Sequence, residues 1–198
     1  SDWHAAAINE IDCTVLVGVT DVNEHKRVET AKKYNARPFD TYEQMLENNE
    51  IDIISICTPS GTHAPLAIKA GKHVIVEKPM ALNLAESDQI IKACEENKVK
   101  LTVISQLRFS DAVAKVKDAV DSGLLGKLIL GNAYLKYHRS QEYYDSSAWR
   151  GTWAMDGGGA LMNQGIHGID LLQYIMGDVK SVFAYTKTLA RKIERSEE

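Results

Sequence analysis

The hydrophobic pattern of the first 120 residues switches repeatedly between two periods. TVLVGVT, from Thr14, is a β-rich run closed by Asp21, and NEHKRVETAKKY after it has helical spacing. Thr41 is an N-cap for a helix over YEQMLEN, and IDIISICT is a nearly continuous apolar strand of the kind that lies inside a two-sided sheet. HAPLAIKA reads as a helix stopped at Gly71, with the strand HVIVEK directly after it. Asn83 and Glu86 form an Asn-x-x-Glu cap for the helix LAESDQIIKACEEN. KLTVISQ is a further strand, and AVAKVKDAV a helix ended by SGLLG. Strands alternating with helices at this rhythm predict a doubly wound parallel sheet, an α/β fold of the Rossmann type.

After Lys127 the rhythm changes. LILGNAYLKYH and VKSVFAYTKTL are strand candidates, separated by a loop rich in Tyr, Trp and Gly and by a helical run, so a separate α+β region with its own sheet is expected. With no low-complexity linker, the junction near Gly123 to Lys127 divides the chain into a domain over 1–123 and a second over 124–198. The opening SDWHAAAINE reads as a helix, whereas a doubly wound fold begins with a strand and a Gly-rich turn, and its first strand is central in the 3-2-1-4-5-6 order. The first domain is therefore expected to be N-terminally incomplete. The second, running out in ARKIERSEE, is expected to be incomplete at its C-terminus.

Polar residues interrupt one apolar run, AMDGGGALMNQGIHGIDLL. On a continuous helix Asn163, His167 and Asp170 fall at i, i+4 and i+7, and Tyr174 extends the line, giving one polar stripe opposite Leu161, Ile169, Leu172 and Met176. Such a stripe faces something wet.

Composition narrows the setting. The chain is 44% hydrophobic and 25% charged with a formal charge of -4 and no basic stripe, so no nucleic-acid partner is expected. Cys13, Cys57 and Cys94 are odd in number and widely spaced, which argues for reduced, buried thiols rather than disulfides or a metal site. No apolar run approaches the roughly 20 residues of a membrane span and no signal peptide opens the chain, so no membrane partner and a cytoplasmic setting are expected.

Asp21 ends the second strand of the fold, where an acidic side chain hydrogen-bonds the adenosine ribose and disfavours a 2'-phosphate, favouring NAD over NADP; a surface Asp capping the next helix is the alternative. In CTPSGTH, Thr58, Pro59 and Ser60 lie at the edge where doubly wound folds bind ligands, or simply form a turn and N-cap. In VIVEKPM, Pro79 keeps Lys78 extended at that same edge. Gly157 to Gly159 follow a loop rather than a strand and serve entry into the next helix.

EKP after a Rossmann-type strand, CTPS and His before it, QLRF at Gln106 to Phe109, SGLLGKL, and GGGALMNQGIHGIDLL together resemble the Gfo/Idh/MocA family of nicotinamide-dependent sugar and cyclitol dehydrogenases. The resemblance spans nearly the whole chain. It implies an NAD(P)-dependent oxidoreductase whose second domain carries an open, mainly antiparallel sheet through which copies of the chain assemble. It places Lys78 beside the substrate hydroxyl and nicotinamide, with His63, Glu77 and Gln106 joining Asp21, Thr58, Pro59 and Ser60 around the cofactor. His167 maps onto the acid/base histidine, and Asn163 stands where many members have Asp; an amide takes no proton, so Asn163 can only orient His167 or substrate. The polar stripe would then face the cleft between domains, with Arg108 and Asp170 at the substrate. A satisfied structural His is the alternative. The loop YHRSQEYYDSSAWRGTWAMDGG, with Arg139, Tyr144, Trp149 and Arg150, is similar to the branch that oxidises the 3-hydroxyl of UDP-N-acetylglucosamine or its uronate. Arginines suit an anionic substrate and aromatic faces a sugar or base. The other readings are an inositol or free-sugar dehydrogenase, or a non-catalytic NAD-binding or sensor protein on the same fold.

Overall fold

The computed structural model describes residues 2–195; Ser1 and residues 196–198, the outer ends of the two expected domains, lie outside the described residues. In chain order the first elements are α1 (Asp2–Glu10), β1 (Gly18–Val19), α2 (Glu24–Lys33), β2 (Arg37–Pro38), α3 (Tyr42–Glu47), β3 (Ile53–Ile56), α4 (His63–Lys69), β4 (His73–Val76), α5 (Leu84–Glu96) and β5 (Leu101–Val103). They are followed by α6 (Asp111–Asp121), α7 (Gln141–Asp145), α8 (Trp153–Asp156), α9 (Ala160–Asn163) and α10 (Ile166–Met176), with 3-10 turns at Ser60–Thr62 and Gln106–Phe109.

The chain forms two compact units, the first made of Ser1–Cys57, Pro65–Val76 and Gln89–Thr102, the second of Thr58–Ala64, Glu77–Asp88 and Val103–Glu198. The strand-end segments 58–64 and 77–88, which a single cut at 123 assigns to the first domain, pack with the later chain.

In the first unit β1 pairs in parallel with β2, Gly18 opposite Arg37, and β3 pairs in parallel with β4, Ile53 opposite His73 through Ile56 opposite Val76. The strands make a two-stranded sheet of order β1-β2 and a three-stranded sheet of order β3-β4-β5, with no strand joining the two among the described residues. Ile54, Ile56, Val74 and Val76 form a fully buried face with Ile90 and Cys94 of α5. Ile53 is exposed, so β3 is not buried on both faces as its composition suggests; its other face carries Ser55, whose Oγ lies 2.7 Å from Nδ1 of His4 in α1. The caps follow the sequence. Asn23 and Thr41 accept N–H bonds at α2 and α3, and Asn83 and Glu86 bond reciprocally at α5, each at 2.9 Å. β2 lacks a strand-like pattern and was not expected. Cys13 lies in an exposed turn, and only Cys94 of the three thiols is fully buried.

Two expectations for the second unit are corrected. Residues 128–138 and 179–189, read as strands of a second sheet, carry no strand among the described residues. In the first of them Gly131 and Leu135 come close to α10, where a Cβ on Gly131 would lie 2.9 Å from Met176 Sδ and one on Gly168 2.8 Å from Leu135 Cδ1, although Leu135, like Leu130 and Tyr134, is exposed. A strand needs a paired neighbour to take its backbone groups, whatever its pattern. The second correction is that AMDGGGALMNQGIHGIDLL is not one helix but α8, α9 and α10, interrupted at Gly157–Gly159 and at Gln164–Gly165. Gly157 and Gly159 have φ of 73° and 92°, a region that favours glycine. At Gly165 a Cβ would lie 2.7 Å from Leu161 Cα.

Candidate active site

The break at Gly165 moves Asn163 off the helix that carries His167 and Asp170, so the three are not a stripe on one helix. Asn163 and His167 are nonetheless both near Lys78. β4 delivers Glu77 and Lys78 at its end, the Lys78–Pro79 peptide is cis, and Lys78 Nζ donates to the backbone carbonyl of Asn163 at 2.8 Å. A cation thus sits at the end of α9, where helix carbonyls lack intrahelical partners. The Asn163 side-chain Nδ2 is buried and has no acceptor among the described residues, a donor still owed a hydrogen bond.

His167 lies in the first turn of α10, half-buried. Burial, and then the nearby charge of Lys78, hold its imidazole below the ordinary histidine value, against the weaker opposing pull of Glu77 and Asp170. At neutral pH this is an uncharged imidazole able to accept a proton.

The turn after β3 belongs to the same unit. Thr58 is exposed, Ser60 is buried, and the Thr62 hydroxyl lies 2.7 Å from Thr58 Oγ1 and 2.8 Å from the Pro59 carbonyl. His63, expected at the cofactor, is only 1% exposed, and its ring nitrogens lie 2.7 Å from the Pro79 carbonyl and 2.8 Å from that of Thr58. Both nitrogens are committed to backbone rather than turned outward. Gln106 is exposed in its 3-10 turn.

Arg108 and Asp170, expected at the substrate, face each other. Arg108 Nε donates to Asp170 Oδ2 at 2.9 Å, its Nη2 takes Oδ1, and Ser105 Oγ adds a bond at 3.2 Å. The guanidinium also stacks over Tyr174, 4.8 Å from the ring centroid. The pair ties the turn at Gln106–Phe109 to α10, and each charge is answered by the other.

In the loop after residue 138, Arg150 lies over Tyr143 and Trp149, with Nη1 donating to Tyr143 Oη at 2.7 Å, and Arg139 covers the other reach of the Tyr143 ring. The Nε atoms of both arginines are buried without an acceptor among the described residues. Tyr144 is buried, edge-on to Tyr143, so its ring is core rather than contact surface. Two residues that the sequence reading missed hold this loop. Asp156 is 2% exposed and Arg195 is fully buried; they pair at 2.7 Å, Asp156 also accepts the Gly151 N–H at 2.8 Å, and the Gly151 carbonyl accepts the N–H groups of Glu194 and Arg195. Partners 39 residues apart leave no local pattern to read.

In the first unit Asp21 follows β1, and its Oδ1 accepts the Asn23 N–H at 2.8 Å, which leaves Oδ2 as an acceptor for a ribose hydroxyl. Arg27, which could answer a 2'-phosphate, is bonded to the Asp21 carbonyl and to Asp40. The carboxylate therefore fits a dinucleotide with free ribose hydroxyls.

Comparison with known proteins agrees with this chemistry. A family model described as an oxidoreductase family NAD-binding Rossmann fold matches residues 1–105, and one for the GFO/IDH/MocA C-terminal domain matches residues 113–198. Among solved structures, the WlbA dehydrogenase of Chromobacterium violaceum, crystallised with NADH and UDP-GlcNAcA, is 36% identical with a TM-score of 0.93, over 98% of this chain and 57% of that one. The WlbA dehydrogenase of Bordetella pertussis, with the same ligands, is 39% identical with a TM-score of 0.89 at the same coverages. Myo-inositol 2-dehydrogenase of Thermotoga maritima is 31% identical over 91% of this chain and 53% of its own length. The chain thus spans about half the length of these relatives.

Proposed function

Because the chain belongs to the Gfo/Idh/MocA family of oxidoreductases, we propose that the protein is an NAD-dependent sugar dehydrogenase in which His167 takes the proton of a substrate hydroxyl. When bound, the nicotinamide supplies the hydride acceptor. The chain's own residues do the rest. His167, kept neutral by burial and by Lys78, removes the hydroxyl proton, and the Lys78 ammonium stabilises the negative charge that develops on the oxygen. Asn163 offers its unpartnered Nδ2 to an acceptor on the substrate. Asp21 of the first unit would hold the adenosine ribose of the dinucleotide through its Oδ2. The observation that carries this reading is the Lys78–Asn163–His167 arrangement: a lysine fixed on a backbone carbonyl whose charge depresses a half-buried histidine.

For the substrate we infer a nucleotide sugar bearing negative charge, UDP-N-acetylglucosamine or its uronate. The open Nε donors of Arg139 and Arg150 beside Tyr143 and Trp149 support an anion next to an aromatic-bound ring, and the two WlbA structures support the sugar. The inositol dehydrogenases among the relatives favour the second reading, a cyclitol or free sugar. Exposed Leu130, Tyr134, Val182, Phe183 and Tyr185 support assembly of copies through the 128–138 and 179–189 segments. The test is NADH formation by the full-length protein with UDP-GlcNAcA, UDP-GlcNAc, myo-inositol and glucose. The proposal expects the nucleotide sugars to be oxidised with the higher kcat/KM; equal or better oxidation of myo-inositol transfers the assignment to the second reading.

A further inference from the structure

The most deeply buried histidine of the chain has no part in the mechanism above. His63 opens α4, is 1% exposed, and lies between two backbone carbonyls, Pro79 at 2.7 Å from Nδ1 and Thr58 at 2.8 Å from Nε2. A carbonyl oxygen only accepts, so the ring must donate: a neutral imidazole carries one N–H and bonds one of the two carbonyls, and only an imidazolium would donate to both. The two carbonyls belong to the two segments that carry site residues. Thr58 begins the ligand-edge turn, and Pro79 follows Lys78 directly. Among the described residues no backbone–backbone bond joins these segments, which are linked in sequence through α4 and β4. The turn itself has little room to shift: a Cβ on Gly61 would lie 2.9 Å from Met155 Sδ, and Thr62 Oγ1 closes the turn on the Pro59 carbonyl. The wall on one side of His63 is therefore fixed, and what the imidazole anchors is the Lys78–Pro79 end of β4.

We propose that His63 is a positioning residue for Lys78: lodged against the Thr58 carbonyl and donating Nδ1–H to the Pro79 carbonyl, it sets where the lysine leaves its strand, and so keeps Nζ on the Asn163 carbonyl and its charge beside His167. This rests on the lysine's role proposed above. A group displaced by about 1 Å can lose roughly a hundredfold in rate, so a strand end freed from its anchor has a kinetic consequence well beyond its contribution to folding.

The test is a double-mutant cycle on the full-length protein, pairing His63→Leu with Lys78→Met. It reads kcat, the KM for NAD, and the titration of His167 followed by NMR. His63→Leu is expected to lower kcat by about ten- to a hundredfold, to leave the KM for NAD within a fewfold, and to move the His167 titration upward, in the same direction as Lys78→Met. In the Lys78→Met background the same change should cost little more, because the residue it positions is gone. His63→Gln, whose amide can still donate to one carbonyl, should recover part of the loss, and it carries the cycle if the leucine variant does not fold. A folded His63→Leu protein with normal kcat and an unmoved His167 titration overturns the proposal. So does an equal loss in both lysine backgrounds, which would mean that His63 acts independently of Lys78. Near-normal turnover in Lys78→Met alone is a different failure: it removes the lysine's catalytic role, and His63 as its positioner with it.

Discussion

At the residue scale the decisive feature is the environment of His167. Desolvation disfavours the charged imidazolium, Lys78 disfavours it further, and Glu77 and Asp170 only partly offset both. Its folded pKa therefore lies below the unfolded value of 6.5, and the unfolded chain binds the extra proton between the two. Stability attributable to His167 is then fully present above pH 6.5 and is lost as the pH falls through the folded pKa. Urea unfolding from pH 8 to pH 5 should show this loss, and His167→Gln should flatten that part of the profile. An unchanged profile in the variant would mean that His167 titrates as it does in the unfolded chain. Lys78 and His167 could be singled out from sequence because each sits in a motif with a chemical reading. The partners of Arg108 and His63 could not: the sequence shows a cation and an imidazole near the ligand edge, but only the fold shows that Asp170 and two carbonyls already claim them.

At the scale of elements, α2, α3 and α5 begin at the caps their sequences advertise, because a cap is a contact between residues three apart. The GGG run and Gly165 mark where one apolar stretch becomes three helices, and the period-3.6 pattern across them is blind to those breaks. Likewise the apolar run over 128–138 is legible, whereas the paired neighbour that would make it a strand is not encoded nearby. The Asp156–Arg195 pair is the element-scale contact most exposed to test. It joins the loop carrying Trp149 and Arg150 to the segment ending at Arg195, and neither charge has water to turn to. Asp156→Ala should cost about 3–5 kcal/mol in equilibrium unfolding, the usual penalty for leaving one charge of a buried pair uncompensated. A loss under about 1 kcal/mol, at the level of a surface pair, would show that the guanidinium finds another partner.

At the scale of the whole molecule, the candidate residues fall in two compact units: Asp21 with parallel strands in the first, and Lys78, Asn163 and His167 in the second. The alternation of strands and helices makes the α/β class legible at once, but the division of the chain is less so, because segments 58–64 and 77–88 leave their strands to join the later residues. In the proposed function the second unit's histidine moves a proton while the dinucleotide is held by other residues. The most direct measurement is turnover of a nucleotide sugar by His167→Ala in the full-length protein, beside a fluorescence titration with NADH. Loss of a positioned proton acceptor should lower kcat by about two to four orders of magnitude with NADH affinity unchanged. Near-normal turnover, or an equal collapse of NADH binding, would contradict it.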